Sequence, residues 1–182
     1  MGKKIYWIRH GEGKHNVLFR KIGEEAFIKC EDAELTQVGI DQAKRANKKM
    51  KKIQIDLIIV SPLTRTLETA SLIFGQNTPM ISYDEFLEHP QGVHLCNRRK
   101  KRSELMKKYP NVDFKIKEVP KWQDHYETQS ELKKRVKKGK AILKKSKEMN
   151  IAVVCHNSYI KCALGFDLEG EIEHCHPYEE DL

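Results

Sequence analysis

The sequence predicts a three-layer α/β/α sandwich with a mostly parallel sheet at its centre. Three observations carry that prediction. Short runs made almost wholly of apolar residues alternate along the chain with longer amphipathic ones, the order expected when helices cover both faces of a parallel sheet. The apolar runs are rich in Ile and Val and too short for helices. The chain has 182 residues and no internal repeat, enough for one domain with a substantial core.

The elements follow in order. Residues 4–8 form a first strand, and Gly11 lets the chain turn sharply soon after its end. Residues 36–51 form a helix with Thr36 as N-cap, its apolar positions Val38, Ile40, Ala43, Ala46 and Met50 falling roughly on one side. Residues 55–60 are apolar almost throughout, as a strand buried on both faces should be. Ser61 is expected to cap the next helix, with Pro62 in its first turn and its end near Phe74. A short strand follows at 80–83. A Lys-rich helix at 130–147 carries Leu132, Val136 and Leu143 on its apolar stripe, with Gly139 as a weak spot. Residues 151–155 form the last strand of the reading. The stretch 85–129 has the weakest periodicity and reads as an insertion over the site, within a single domain spanning 1–182.

In such a sheet, ligands collect beyond the C-terminal ends of the strands. Three strands end in Arg9-His10, Ser61-Pro62 and His156-Asn157. This groups Arg9, His10, Arg65 and His156 on geometry alone, because Arg65 lies one turn into its helix and can reach back. Arginine offers a planar, permanently charged fork for phosphate. Histidine can be a nucleophile at neutral pH. The helix start adds unpaired backbone donors and a dipole suited to an anion.

Composition narrows the function. The net charge is +8, mostly lysine, with 33% charged residues. Without a groove-reading or aromatic nucleic-acid module, that charge reads as a solvated surface that also draws anionic substrates. No apolar run approaches the ~20 residues of a membrane span, and the N-terminus reads as lacking a signal peptide. The five cysteines are odd in number and form no Cys-x-x-Cys pair, which fits reduced thiols in the cytoplasm. His174-Cys175-His176 lacks a second ligand pair and reads as a strand end, not a metal site.

Four motifs in order resemble the histidine phosphatase, or phosphoglycerate mutase-like, superfamily. Arg9-His10-Gly11-Glu12 with Asn16 resembles its first motif. Leu35-Thr36-Gln37-Val38-Gly39 resembles its helix start, and Ser61-Pro62-Leu63-Thr64-Arg65-Thr66-Leu67-Glu68-Thr69-Ala70 its second-arginine motif. Val153-Val154-Cys155-His156 resembles the strand leading to its second histidine. His15-Asn16-Val17 and the segments around 88–99 and 109–114 are similar to the small fungal and plant branch. Asn97 stands where that branch often has Asp, and Asn157 follows His156 where Gly or Ser is usual.

The resemblance implies a phosphoglycerate mutase-like fold and a metal-independent reaction with no cofactor. His10 would form a phosphohistidine, and Arg9, Arg65, His156 and Asn16 would hold the phosphate oxygens. Glu88, by its place after the third strand, would be the proton donor, with Glu12 and Glu85 as the alternatives. His15 and His94 are open between cleft and surface. The run Arg98-Arg99-Lys100-Lys101-Arg102 reads as a solvated helix face from its charge, whereas the resemblance lets Arg98 and Arg99 select a second acidic group. The expected activity is hydrolysis of a small phosphorylated substrate, with no nucleic-acid or membrane partner. A mutase needs more cover against water, and only 26 residues follow His156. Mutase transfer and a non-catalytic phosphate-recognition protein are the alternatives.

Overall fold

The computed structural model describes residues 2–120, 125–166 and 170–182. Its six strands are β1 (Lys4–Arg9), β2 (Leu57–Val60), β3 (Met80–Ser82), β4 (Val112–Phe114), β5 (Asn150–Cys155) and β6 (Pro177–Asp181). They lie in the order β4-β3-β2-β5-β1-β6. All neighbouring pairs are parallel except β1 and β6. The helices are α1 (Lys14–Ile22), α2 (Ala26–Lys29), α3 (Gln37–Met50), α4 (Thr64–Phe74), α5 (Arg102–Lys108), α6 (Gln129–Lys145) and α7 (Asn157–Leu164).

Strand residues alternate between the faces, and the core divides accordingly. Tyr6, Ile8, Ile58, Val60, Ala152 and Val154 pack with Ala43, Met50, Leu67, Ile73 and Leu105 of α3, α4 and α5. Ile5, Trp7, Leu57, Ile59, Ile151 and Val153 pack with Leu132, Leu143, Tyr159 and Ile160 of α6 and α7. The predicted three-layer sandwich is therefore the observed one.

Several local readings change. Thr36 does cap α3, its hydroxyl accepting from Gly39 N at 3.0 Å. Ser61 does not cap α4: the helix begins at Thr64 with Leu63 in the cap position, and the Ser61 side chain serves the site instead. Gly139 is no weak spot. A Cβ there would stand 2.2 Å from the Tyr159 hydroxyl and 3.3 Å from the Phe86 ring, so its absence lets α6 approach α7. The stretch 85–129 also does more than cover the site, since it supplies α5 and β4, which extends the sheet beyond β3. The strands β4 and β6 and the helices α1, α2, α5 and α7, none longer than nine residues, were not among the expected elements. No helix among the described residues is long and apolar enough to cross a membrane.

The register places the site. Arg9 pairs with Cys155 across β1 and β5, and Val60 pairs with Val154 across β2 and β5. Each chain continues this alignment one step past the sheet: His10 N donates to Cys155 O at 3.1 Å and Ser61 N to Val154 O at 3.1 Å. Three adjacent strands thus deliver Arg9-His10, Ser61 and His156 to one edge.

Candidate active site

A cavity of about 270 Å³ opens at that edge, lined by Arg9, His10, Arg65 and Glu88 among others. His10 forms its floor. Its Nδ1 lies 2.7 Å from the Gly11 carbonyl. A carbonyl only accepts, so Nδ1 carries the proton and Nε2 keeps its lone pair. Arg65 Nε donates to that Nε2 at 3.2 Å. Burial, then the charge of Arg65 and the neighbouring His156, His15 and Arg9, pushes the His10 pKa well below the usual histidine value. The ring is neutral at physiological pH and its unprotonated nitrogen is the one a nucleophile needs.

The turn after His10 is held by close backbone approach. A Cβ on Gly11 would stand 2.5 Å from the Gly39 carbonyl oxygen, and one on Gly39 would stand 2.2 Å from that of Glu12. Both glycines are required for α3 to pack on this turn. Thr69 of α4 ties the two arginine and histidine segments together. Its hydroxyl donates to Arg65 O at 2.7 Å and accepts from Gly11 N at 3.0 Å.

Arg65 is buried, yet its partners are neutral. Nη1 donates to Cys96 O at 2.7 Å and Nη2 to the Asn97 side-chain oxygen at 3.0 Å. Aspartate at position 97 would neutralise the guanidinium; the amide orients it and leaves its charge for an anion. Arg9 donates through Nη1 to Glu171 at 3.0 Å and to Ile172 O at 2.6 Å. Asn157 completes this arrangement, its side-chain oxygen accepting from Ile172 N at 2.9 Å. The departure from Gly or Ser after His156 thus fastens the segment that positions Arg9.

His156 is fully buried beside His10, with ring centres 5.2 Å apart. Its Nε2 lies 2.8 Å from the Ser61 hydroxyl. It is not among the side chains lining the cavity. Burial, then Arg65, lowers its pKa well below the usual value. Asn16 lines the cavity, and its side-chain oxygen accepts from Gly13 N at 2.9 Å. Three buried nitrogens around His10 have no hydrogen-bond partner: Arg9 Nε, His15 Nδ1 and His156 Nδ1. Orphaned buried polar atoms are rare in folded proteins, and two of these, on Arg9 and His15, line the cavity and mark a polar ligand's place.

Glu88 stands on the same cavity. Burial raises its pKa against the opposing hydrogen bond from His89 and the charges of Arg65 and Arg9, which favours the protonated acid. Glu12 is the reverse. Hydrogen bonds from Arg20 and Thr36 outweigh burial and lower its pKa. Glu85 is not among the lining residues; its carbonyl accepts from Arg135 at 3.1 Å.

Long-range contacts hold the Glu88 loop. Arg135 of α6 donates to Leu87 O at 2.5 Å and to both Glu127 carboxylate oxygens at 2.7 Å. Glu127 also accepts from Gln91 N at 3.2 Å and lies 3.2 Å from His89 Nδ1. Burial works against the Glu127 charge, but His89 and Arg135 outweigh it and hold the pKa at about 2.

The basic run is placed differently from expectation. Arg99 is buried, paired with Asp84 at 2.6 and 3.1 Å and bonded to the Lys117 carbonyl at 2.8 Å. Its fork is committed to holding strand-end loops together, so it does not select a second acidic group in the cavity. Arg98 is not among the lining residues either. Of the two histidines left open, both line the cavity, His15 buried beside His10 and His94 on the far wall.

Sequence reasoning missed His174, whose Nδ1 lies 2.6 Å from the His10 carbonyl. It also missed Glu171, Ser61 as the partner of His156, and the Arg135–Glu127 brace. One signal existed: Arg135 is the single arginine in a helix otherwise filled with lysines. The side chains of His174-Cys175-His176 diverge. His174 turns to His10, Cys175 packs in the core, and His176 packs on Tyr178 at 4.9 Å.

Comparison with known proteins agrees with this geometry. Residues 5–179 match the family model of the histidine phosphatase superfamily (branch 1), and the chain belongs to that family. It is 32% identical to "Phosphoglycerate mutase-like protein 1" of Arabidopsis thaliana, covering 96% of this chain and 74% of that protein. The alpha-ribazole phosphatase of Shigella flexneri superposes with a TM-score of 0.68 at 22% identity, covering 98% of this chain and 90% of its own. The ecdysone phosphate phosphatase of Bombix mori gives 0.68 at 17% identity, covering 97% and 88%. Family membership supports an enzyme of phosphatase or mutase kind, and the structural neighbours share its fold.

Proposed function

We propose that the protein hydrolyses phosphate monoesters through a phosphohistidine on His10, without a metal ion. One observation carries the reading: a neutral His10 whose unprotonated Nε2 accepts from Arg65, beside the unpartnered buried nitrogens of Arg9 and His15, on a cavity shared with Glu88. A phosphate there would accept from Arg65, Arg9 Nε and the Asn16 amide nitrogen, with His15 as a further donor. His10 Nε2 attacks phosphorus, and the bond to the ester oxygen breaks as that oxygen takes the Glu88 proton. Water then attacks phosphorus and gives its proton to Glu88 as the phosphorus–nitrogen bond breaks, its electron pair returning to Nε2, and phosphate leaves. Both groups return to their starting protonation states.

His156, buried behind His10 and off the cavity lining, acts by orienting the His10 ring, with Ser61 fixing its own. His174 is a positioning residue through the His10 carbonyl. The five unbridged thiols support a reducing compartment, the cytoplasm.

The test is phosphate release from p-nitrophenyl phosphate in the presence of chelator, with wild type and His10→Ala side by side. Chelator-resistant release that is lost in His10→Ala is expected. Equal release by both proteins would remove His10 from the mechanism.

A further inference from the structure

Four rings from three separate segments stand in a row, and two of them form part of the cavity wall. Phe27 of α2 and His94 both line it. Phe27 stacks on Phe19 of α1 at 5.1 Å and 18°, and meets His94 at 4.6 Å. His94 meets Tyr126 edge-on at 5.2 Å. Phe19 is 43% exposed and Tyr126 51% exposed. The row therefore passes through the cavity lining at Phe27 and His94 and reaches solvent at both ends, and leaving it uncovered costs free energy. Burial keeps the His94 imidazole below its usual pKa, so this ring too presents an uncharged face.

The charges are arranged oppositely. Among the described residues, the arginines lining the cavity are Arg9 and Arg65, both at the His10 end. No lysine lines the cavity among the described residues, and Pro90 adds a further apolar group to the lining. Arg99, which a second acidic group would need, is bound to Asp84. A leaving group with its own carboxylate or second phosphate would meet rings where it needs cations. A flat apolar ring would stack there, exchanging water for Phe27 and His94.

We propose that the Phe27–His94 wall, with Tyr126 packed edge-on against His94, is the leaving-group subsite, and that the substrate is a phosphate monoester whose alcohol part carries a flat aromatic ring. This rests on the phosphomonoesterase reading, and binding can test it without turnover.

The experiment measures affinities of three phosphonates that cannot be hydrolysed: 1-naphthylmethylphosphonate, methylphosphonate and phosphonoacetate. The naphthyl compound is expected to bind at least about tenfold more tightly than methylphosphonate, the size of one well-placed ring contact. Phosphonoacetate should gain nothing over methylphosphonate. In Phe27→Ala the naphthyl-to-methyl ratio should fall below about threefold, and Phe27→Tyr should restore most of it. Tyr126→Ala, at a half-exposed position, gives a smaller fall and serves if Phe27→Ala does not fold. A wild-type ratio near one, tighter binding of phosphonoacetate, or a ratio that survives in folded Phe27→Ala would overturn the subsite. Should the ring preference hold while wild type releases phosphate from no ester, the hydrolytic reading falls and the subsite stands.

Discussion

The two ends of the cavity are built by different means. At the phosphate end, His10 and Arg9 sit at the tip of β1 and His156 at the tip of β5, with Arg65 in the first turn of α4. Backbone register brings them together, and neutral partners such as Cys96 O and Asn97 leave the charge free. At the leaving-group end, Glu88 and His94 lie in a loop that the Arg135–Glu127 pair holds from α6. The first end is a property of the sheet, while the second depends on a few side chains far away in sequence. The phosphate end should therefore tolerate change in its surroundings and the leaving-group end should not.

The largest expected effect is at the phosphate end. Replacing Arg65 by Ala removes the fork beside His10 Nε2, and kcat should fall by about 10²–10³-fold. Arg65→Lys should recover little, because an ammonium cannot contact Cys96 O, Asn97 and phosphate together. Full activity in either variant would break the distinction between the two ends.

Glu88→Gln separates them kinetically. It should cost about 10²-fold or more with an alkyl phosphate, whose leaving oxygen needs a proton. With p-nitrophenyl phosphate the loss should be far smaller. The pH profiles sharpen the point. Glu88 must be protonated, and its raised pKa carries activity to higher pH than an ordinary carboxyl allows. His10 must be neutral, and its lowered pKa keeps activity as pH falls below the usual histidine range. The alkaline limb should disappear in Glu88→Gln while the acid limb stays.

Arg135→Ala tests the brace itself. It leaves Glu127 buried without its cation, which should destabilise the protein by about 3 kcal/mol in chemical denaturation. The loss of kcat should be greater for alkyl than for p-nitrophenyl phosphate, as for Glu88→Gln. Glu127 adds a pH signature. Its folded pKa of about 2 lies below the ordinary glutamate value of 4.5. Its contribution is present above about 4.5 and is lost as pH falls toward 2. Glu127→Gln should flatten that part of the stability profile.

The smallest effect is expected at Gly139. Gly→Ala inside a helix normally stabilises by up to about 1 kcal/mol. Here the new methyl would collide with the Tyr159 hydroxyl, 2.2 Å away, and press on Phe86. Destabilisation by about 1–3 kcal/mol, read as a lower Tm, is the expected result. A higher Tm would show that α6 and α7 can separate freely.

The strands containing Ile5–Ile8, Ile58–Val60 and Ile151–Cys155 were legible because each is apolar on both faces, a pattern helices of that length do not share. Their C-terminal residues were legible with them. The α3 cap at Thr36 was equally local. Ser61 misled because a serine before a proline has the form of a cap, while its hydroxyl is drawn to His156, 95 positions away. Arg99 misled because a charge run looks solvated or ligand-binding until Asp84 is seen beside it.

By itself, then, the sequence determined the layered sheet and the cluster of Arg9, His10, Arg65 and His156, since hydrophobic period and strand ends are written in neighbouring residues. Tertiary structure alone decided the His10 tautomer, the burial that separates the pKa directions of His10 and Glu88, the retirement of Arg99 from the cavity, and the row of rings from Phe19 to Tyr126. Each of these arises from dehydration and contacts between segments distant in the chain, and neither is encoded by any local pattern.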